Sequence, residues 1–122
     1  MRDGKDVAII ATGILVSEAV KAAELLATEN ISARVINIAT IKPLDEEIIL
    51  SAARDCKRIV TVEEHSIIGG LGEAICSLLA EKYPVPVKKI GVNDEFGHSG
   101  AAADLLKQFG LCAENIAMQA KF

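Results

Sequence analysis

Ile59-Val60-Thr61-Val62-Glu63-Glu64-His65-Ser66-Ile67-Ile68-Gly69-Gly70-Leu71-Gly72-Glu73-Ala74-Ile75 is the stretch that decides the fold. A β-branched apolar run passes through a polar elbow with two carboxylates and an imidazole, then through glycines into a helical pattern. That succession reads as one corner of a parallel βαβ unit. In an open α/β sheet, ligands and partners bind at the carboxyl ends of strands. The elbow therefore either carries chemistry or serves a larger assembly, and the remaining sequence favours the second.

Similar units lie on both sides. Asp6 to Ala11 is an apolar run stopped at Thr12-Gly13, a buried strand. Val16, Ala19, Val20, Ala23, Leu26 and Ala27 then recur at helical spacing with Glu18, Lys21 and Glu24 between them, and Asn30 ends that helix. Ala33 to Ile38 is the second strand, with Pro43 closing the loop after it. Asp45-Glu46-Glu47 opens a helix whose buried side is Ile48, Ile49 and Ala52, since acidic residues satisfy free amides and offset the dipole in a first turn.

Arg58 to Val62 is read as the third strand, with the elbow after it. Leu71, Ile75, Leu78 and Leu79 share one face of the next helix, which ends at Tyr83-Pro84-Val85-Pro86. Val87 to Val92 is a weaker fourth strand whose lysines place it near a sheet edge. A polar loop from Asn93 to His98 leads to Ser99, an N-cap for a helix carrying Leu105, Leu106 and Phe109 that Gly110 stops, and Ala113 to Lys121 forms the last helix. Strands alternating with helices predict a three-layer α/β/α sandwich with a mainly parallel sheet. Right-handed crossovers favour the strand order 2-1-3-4. The topological switch then falls between the first and third strands, in a crevice lined by Thr12 and Gly13 on one side and Glu63, Glu64, His65 and Ser66 on the other.

At 122 residues and 51% hydrophobic content the chain fits a single domain, 1–122, with residues 1–5 expected as a flexible start. A formal charge of -4 argues against nucleic acid and anionic membranes as partners. No apolar run approaches the length of a membrane span, and the N-terminus has no signal-peptide pattern. Cys56, Cys76 and Cys112 are widely spaced, which fits buried or half-buried thiols in a reducing cytoplasm rather than disulfides or a metal site.

Gly70-Leu71-Gly72-Glu73-Ala74-Ile75 begins like a dinucleotide fingerprint, but Ile75 stands where close packing needs Gly or Ala. Glu63, Glu64 and Glu73 would also repel a phosphate there. The glycines read better as tight packing of helix on strand. His65 beside two carboxylates resembles an oriented base, yet no nucleophile elbow accompanies it. His98 reads as a loop residue. A phosphoacceptor receiver domain would need acidic residues where the first strand ends Ala11-Thr12-Gly13.

The residues Ile9 to Gly13, Ile36 to Asp45, Ile59 to Ile75 with V-T-V-E-E and G-G-x-G, and Gly91 to Gly100 with N-D-E-F-G-H-S-G are together similar to the C-terminal domain of transketolases. They cover almost the whole chain in the expected order. Related domains end 1-deoxyxylulose-5-phosphate synthases and the β subunits of thiamine-dependent 2-oxo acid dehydrogenases. The N-D-E-F-G-H-S-G stretch, with Leu105-Leu106 and Phe109-Gly110-Leu111, resembles most closely the small subunit of two-part bacterial transketolases.

The resemblance implies a parent enzyme that moves a two-carbon ketol unit between sugar phosphates. Thiamine diphosphate and a divalent cation would lie between N-terminal and middle domains, on the same or a separate chain. This chain would bind no cofactor and supply no catalytic residue. Its role would be to pack on the middle domain and support a homodimer or higher assembly, with Thr12, Gly13, Glu63, Glu64, His65 and Ser66 at the crevice or a domain contact. Two departures from the family carry expectations. Relatives have a further antiparallel edge strand ahead of Arg2 to Lys5, so the second strand's edge would be left open. Cys112 stands where relatives have a capping threonine, so the final helix would fray. The competing reading is a free-standing small-ligand sensor using the crevice.

Overall fold

The computed structural model describes residues 4–12, 15–38, 45–66, 70–92 and 112–121. Its elements are β1 (Val7–Ala11), α1 (Leu15–Ala27), β2 (Ala33–Asn37), α2 (Glu46–Cys56), β3 (Ile59–Ser66), α3 (Leu71–Lys82), β4 (Val87–Val92) and α4 (Ala113–Gln119). The four strands form one parallel sheet in the order β2-β1-β3-β4, as the crossover argument predicts.

β1 shows why three layers form. All five of its residues are buried, and alternation sends Val7, Ile9 and Ala11 to one face and Ala8 and Ile10 to the other. The first face packs on Leu15, Ala19, Ala22, Ala23 and Leu26 of α1 and on Ala113, Ile116 and Ala117 of α4. The second packs on Ile49, Ala52 and Ala53 of α2 and on Leu71, Ile75, Leu78 and Leu79 of α3. The α1 stripe is displaced slightly from the one expected: Ala27 is exposed, and Leu15 and Ala22 take up the burial.

The helix ends follow from their residues. Asn30 adopts φ 61°, the Ile31 amide donates to Leu26 O at 3.0 Å and the Asn30 amide to Ala27 O at 3.1 Å. That paired pattern is the Schellman stop, with Ile31 packed against the core cluster that contains Leu26. Asp45 caps α2 by accepting from the Ile48 amide at 3.3 Å. Cys112 is the N-cap of α4 and makes no side-chain cap bond, as its lack of a good acceptor implies.

Of the start at 1–5, residues 1–3 lie outside the described residues. Gly4 O accepts from Arg34 Nε at 3.1 Å and from Cys56 Sγ at 3.5 Å, and the Lys5 amide donates to Ser32 Oγ at 3.2 Å. A Cβ at Gly4 would run into the Ala33 backbone, so the chain lies flat against the start of β2. Strand β3 does not stop at Val62 but continues through Glu63, Glu64 and His65 to Ser66, where it pairs with Val92 after a register irregularity. Pairing with β4 overrides the polar side chains that looked like a turn. Gly13, Pro43, the loop 93–98, the helix expected at 99–109 and Gly110 lie outside the described residues.

Candidate functional site

The carboxyl end of the sheet is where the candidate residues gather. β1 and β3 pair last at Ala11↔Val62, so Thr12 and Glu63 come one step past that pair, at the switch point. Thr12 is half-buried and its carbonyl accepts from the Leu15 amide at 3.1 Å, which starts α1. Glu64, His65 and Ser66 follow on the β3 backbone. Gly13 lies outside the described residues.

Glu63, expected at the crevice or a domain contact, is 1% exposed. Strand alternation puts Ile59, Thr61 and Glu63 on the face covered by α2 and α3. From there one carboxylate oxygen accepts from the Leu71 amide at 2.8 Å, and the other from the Gly72 amide at 2.7 Å. These are the first two residues of α3. The N-cap position is Gly70, which has no side chain to offer, and the helix start needs an acceptor from elsewhere. Glu63 supplies it, with a negative charge at the positive end of the helix dipole.

The close approach depends on Gly72. A Cβ there would lie 2.8 Å from Lys89 Cγ and Cδ and 2.9 Å from Thr61 Oγ1. The glycine therefore does serve tight packing of helix on strand. Thr61 is fully buried and its hydroxyl has no hydrogen-bond partner among the described residues.

This geometry decides what the glycine elbow can do. A helix start with free amides binds phosphate readily, but here Glu63 holds those amides with both oxygens. A diphosphate would have to displace a buried carboxylate and meet Glu73, also in the first turn. Among the described residues, moreover, no group of three or more His, Cys, Asp or Glu side chains could hold a metal ion. Among the described residues, the helix start at Leu71 and Gly72 is a capped structural joint whose filled amides do not fit a diphosphate.

Sequence reasoning missed Glu63 as a cap because donor and acceptor are eight and nine residues apart, outside any local capping pattern. The usable signal was the helix start itself, Gly70-Leu71-Gly72, which lacks an acceptor of its own. The thiols fall as expected: Cys56 is buried, Cys76 and Cys112 are half-buried, and all are free. No helix among the described residues is long and apolar enough to cross a membrane.

Comparison with known proteins places these features in a family. The model for "Transketolase, C-terminal domain" matches residues 1–116. A 6-deoxy-6-sulfo-D-fructose transketolase subunit from a Clostridium species is 48% identical over 116 residues, covering 95% of this chain and 36% of the relative. The 1-deoxy-D-xylulose-5-phosphate synthase of Heliobacterium modesticaldum is 45% identical over 122 residues, covering 99% of this chain and 19% of the relative. Among solved structures, a split-gene transketolase described as an inactive β4 tetramer superposes with a TM-score of 0.94 at 46% identity, over 98% of this chain and 39% of that one. The chain thus spans 36% and 19% of the length of these two curated relatives.

Proposed function

The chain belongs to the transketolase C-terminal domain family, and from that premise we propose that it is the supporting module of a thiamine-diphosphate-dependent transketolase. The whole enzyme would move a two-carbon ketol unit from a ketose phosphate to an aldose phosphate in the cytoplasm. This segment, 1–122, supplies no catalytic residue. It packs against the N-terminal and middle domains, on the same or another chain, and supports a homodimer or higher assembly.

One observation carries the reading. The only glycine-rich helix start described in the chain is filled by the chain's own Glu63, at 2.8 and 2.7 Å. An acidic, self-capped corner suits protein contact better than cofactor binding. The similar solved subunit described as an inactive tetramer is consistent with this reading.

The test is reconstitution. Adding this chain to separately produced N-terminal and middle domains is expected to change both ketol transfer and oligomeric state. Equal activity and equal mass with and without it would remove the scaffold role. A second reading has its own support, because a 1-deoxy-D-xylulose-5-phosphate synthase matches 99% of the chain. Formation of 1-deoxy-D-xylulose 5-phosphate by the same mixture, in place of ketol transfer, would favour it.

A further inference from the structure

At the amino ends of β3 and β4, away from the switch point, the end of α2 and the stretch joining α3 to β4 enclose an open hollow. It measures about 320 Å³ and is lined by Lys57, Tyr83, Pro84, Val85 and Pro86. That volume falls at the lower end of small-molecule sites. Its walls are held in place. Val85 packs on the core layer that contains α2 and α3. Pro86 O accepts from the Ile59 amide at 3.0 Å, and the Tyr83 amide donates to Leu79 O at 2.9 Å. Pro84 and Pro86 restrict the backbone of the stretch itself.

Two lining residues depart from an ordinary solvated surface. Tyr83 is 37% exposed, and with the proline rings it offers flat apolar area to a ligand. Lys57 holds a left-handed backbone at φ 63°, which glycine or asparagine adopts at lower cost. The stop of α1 uses Asn30 for the same turn. Strain of this kind at the rim of a cavity points to a side chain kept for its chemistry. Among the described residues the Lys57 ammonium belongs to no ion pair. Around it, Arg54, Lys57 and Arg58 stand against one carboxylate, Asp55, which Arg34 engages at 3.1 Å. In a chain of net charge -4 this is a local cationic spot, complementary to an anion.

We propose that the hollow binds a small carboxylic acid with one apolar ring: the ring lies on Tyr83, Pro84 and Pro86, and the carboxylate meets the Lys57 ammonium. An apolar body suits the lining, and one negative group suits one unpaired cation. A sugar phosphate fits less well, because its hydroxyls would be laid on proline and valine without partners. The inference stands on this hollow alone, so its failure leaves the scaffold reading intact.

Tyr83 is the chain's one tyrosine and there is no tryptophan, so intrinsic emission reports on the hollow directly. The probe is cyclohexanecarboxylate, which does not absorb where tyrosine does. Titration at neutral pH is expected to change Tyr83 emission saturably, with half-saturation at about 5 mM or below, as a ligand this small in an open site allows. Cyclohexylmethanol, the neutral analogue, should bind at least about threefold more weakly. The acid should lose the same factor in Lys57→Gly, a variant that relaxes the backbone and is expected to fold at least as well as the parent. Lys57→Asn also tolerates the left-handed turn and should show the same loss. Lack of saturation up to about 20 mM would overturn the proposal. So would equal half-saturation for acid and alcohol, or for the parent and either folded variant.

Discussion

The Glu63 carboxylate on β3 accepts from the Gly72 amide in α3 at 2.7 Å, across nine positions of sequence and with 1% of Glu63 exposed. The Leu71 amide shares the same carboxylate. Removing the acceptor strands two buried donors, each costing about 1–3 kcal/mol. Glu63→Ala is therefore expected to lose about 2–4 kcal/mol of unfolding free energy in urea. A loss below about 1 kcal/mol would mean that water replaces the carboxylate at the helix start.

Thr61 and Gly72 meet under that first turn. Thr61→Val removes a buried hydroxyl without a partner among the described residues and keeps its volume, so it should stabilise by about 1 kcal/mol. Gly72→Ala should destabilise by about 1–3 kcal/mol, because its Cβ would sit 2.9 Å from Thr61 Oγ1. Lys89 can swing aside; the buried Thr61 cannot. In a Thr61→Ala background the cost of Gly72→Ala should shrink by at least about 0.5 kcal/mol. Strict additivity in a double-mutant cycle would show that the two residues do not touch.

Lys57 ends α2 in the left-handed conformation, at φ 63°, with its amide donating to Ala53 O at 3.0 Å. A side chain is disfavoured there and glycine is not. Lys57→Gly should raise stability by about 0.5–1 kcal/mol, seen as a higher thermal midpoint. A lower midpoint would mean that the lysine side chain contributes more than its backbone costs.

Burial pushes the Cys56 thiol above its ordinary value of 9.0; the Arg34 guanidinium pulls it down, while Asp55 and Asp6 push it up. The folded state therefore holds the thiol proton more tightly than the unfolded chain. The stability this confers is fully present below about pH 9 and is lost as pH rises through the folded value. Cys56→Ala should flatten the alkaline limb of a stability-against-pH curve. An identical limb in both proteins would contradict the burial argument.

Much of this architecture was legible because its signals are local. The β1 run, the α3 face of Leu71, Ile75, Leu78 and Leu79, the Asp45 cap and the Asn30 stop each depend on residues within a turn or two. What was hidden is long-range. Glu63 to Ser66 looked like a loop because polar side chains ended the apolar run, yet β4 keeps them in the strand at Ser66↔Val92. Glu63 looked like a crevice residue because its role depends on α3 folding back over β3. The contacts of Gly4 were hidden because its partners, Arg34 and Cys56, are 30 and 52 residues away. At the site itself, the sequence located the corner but not the direction in which its carboxylate points.

The claim on which the account depends is that the helix start at Gly70 to Gly72 is already filled from within, and calorimetric titration of thiamine diphosphate and Mg²⁺ into the isolated chain tests it directly. The account predicts no saturable heat for the chain alone at cofactor concentrations up to about 1 mM, equivalent to binding weaker than about -4 kcal/mol. Saturable micromolar binding, abolished by substitution at Gly72 or Glu63, would contradict it.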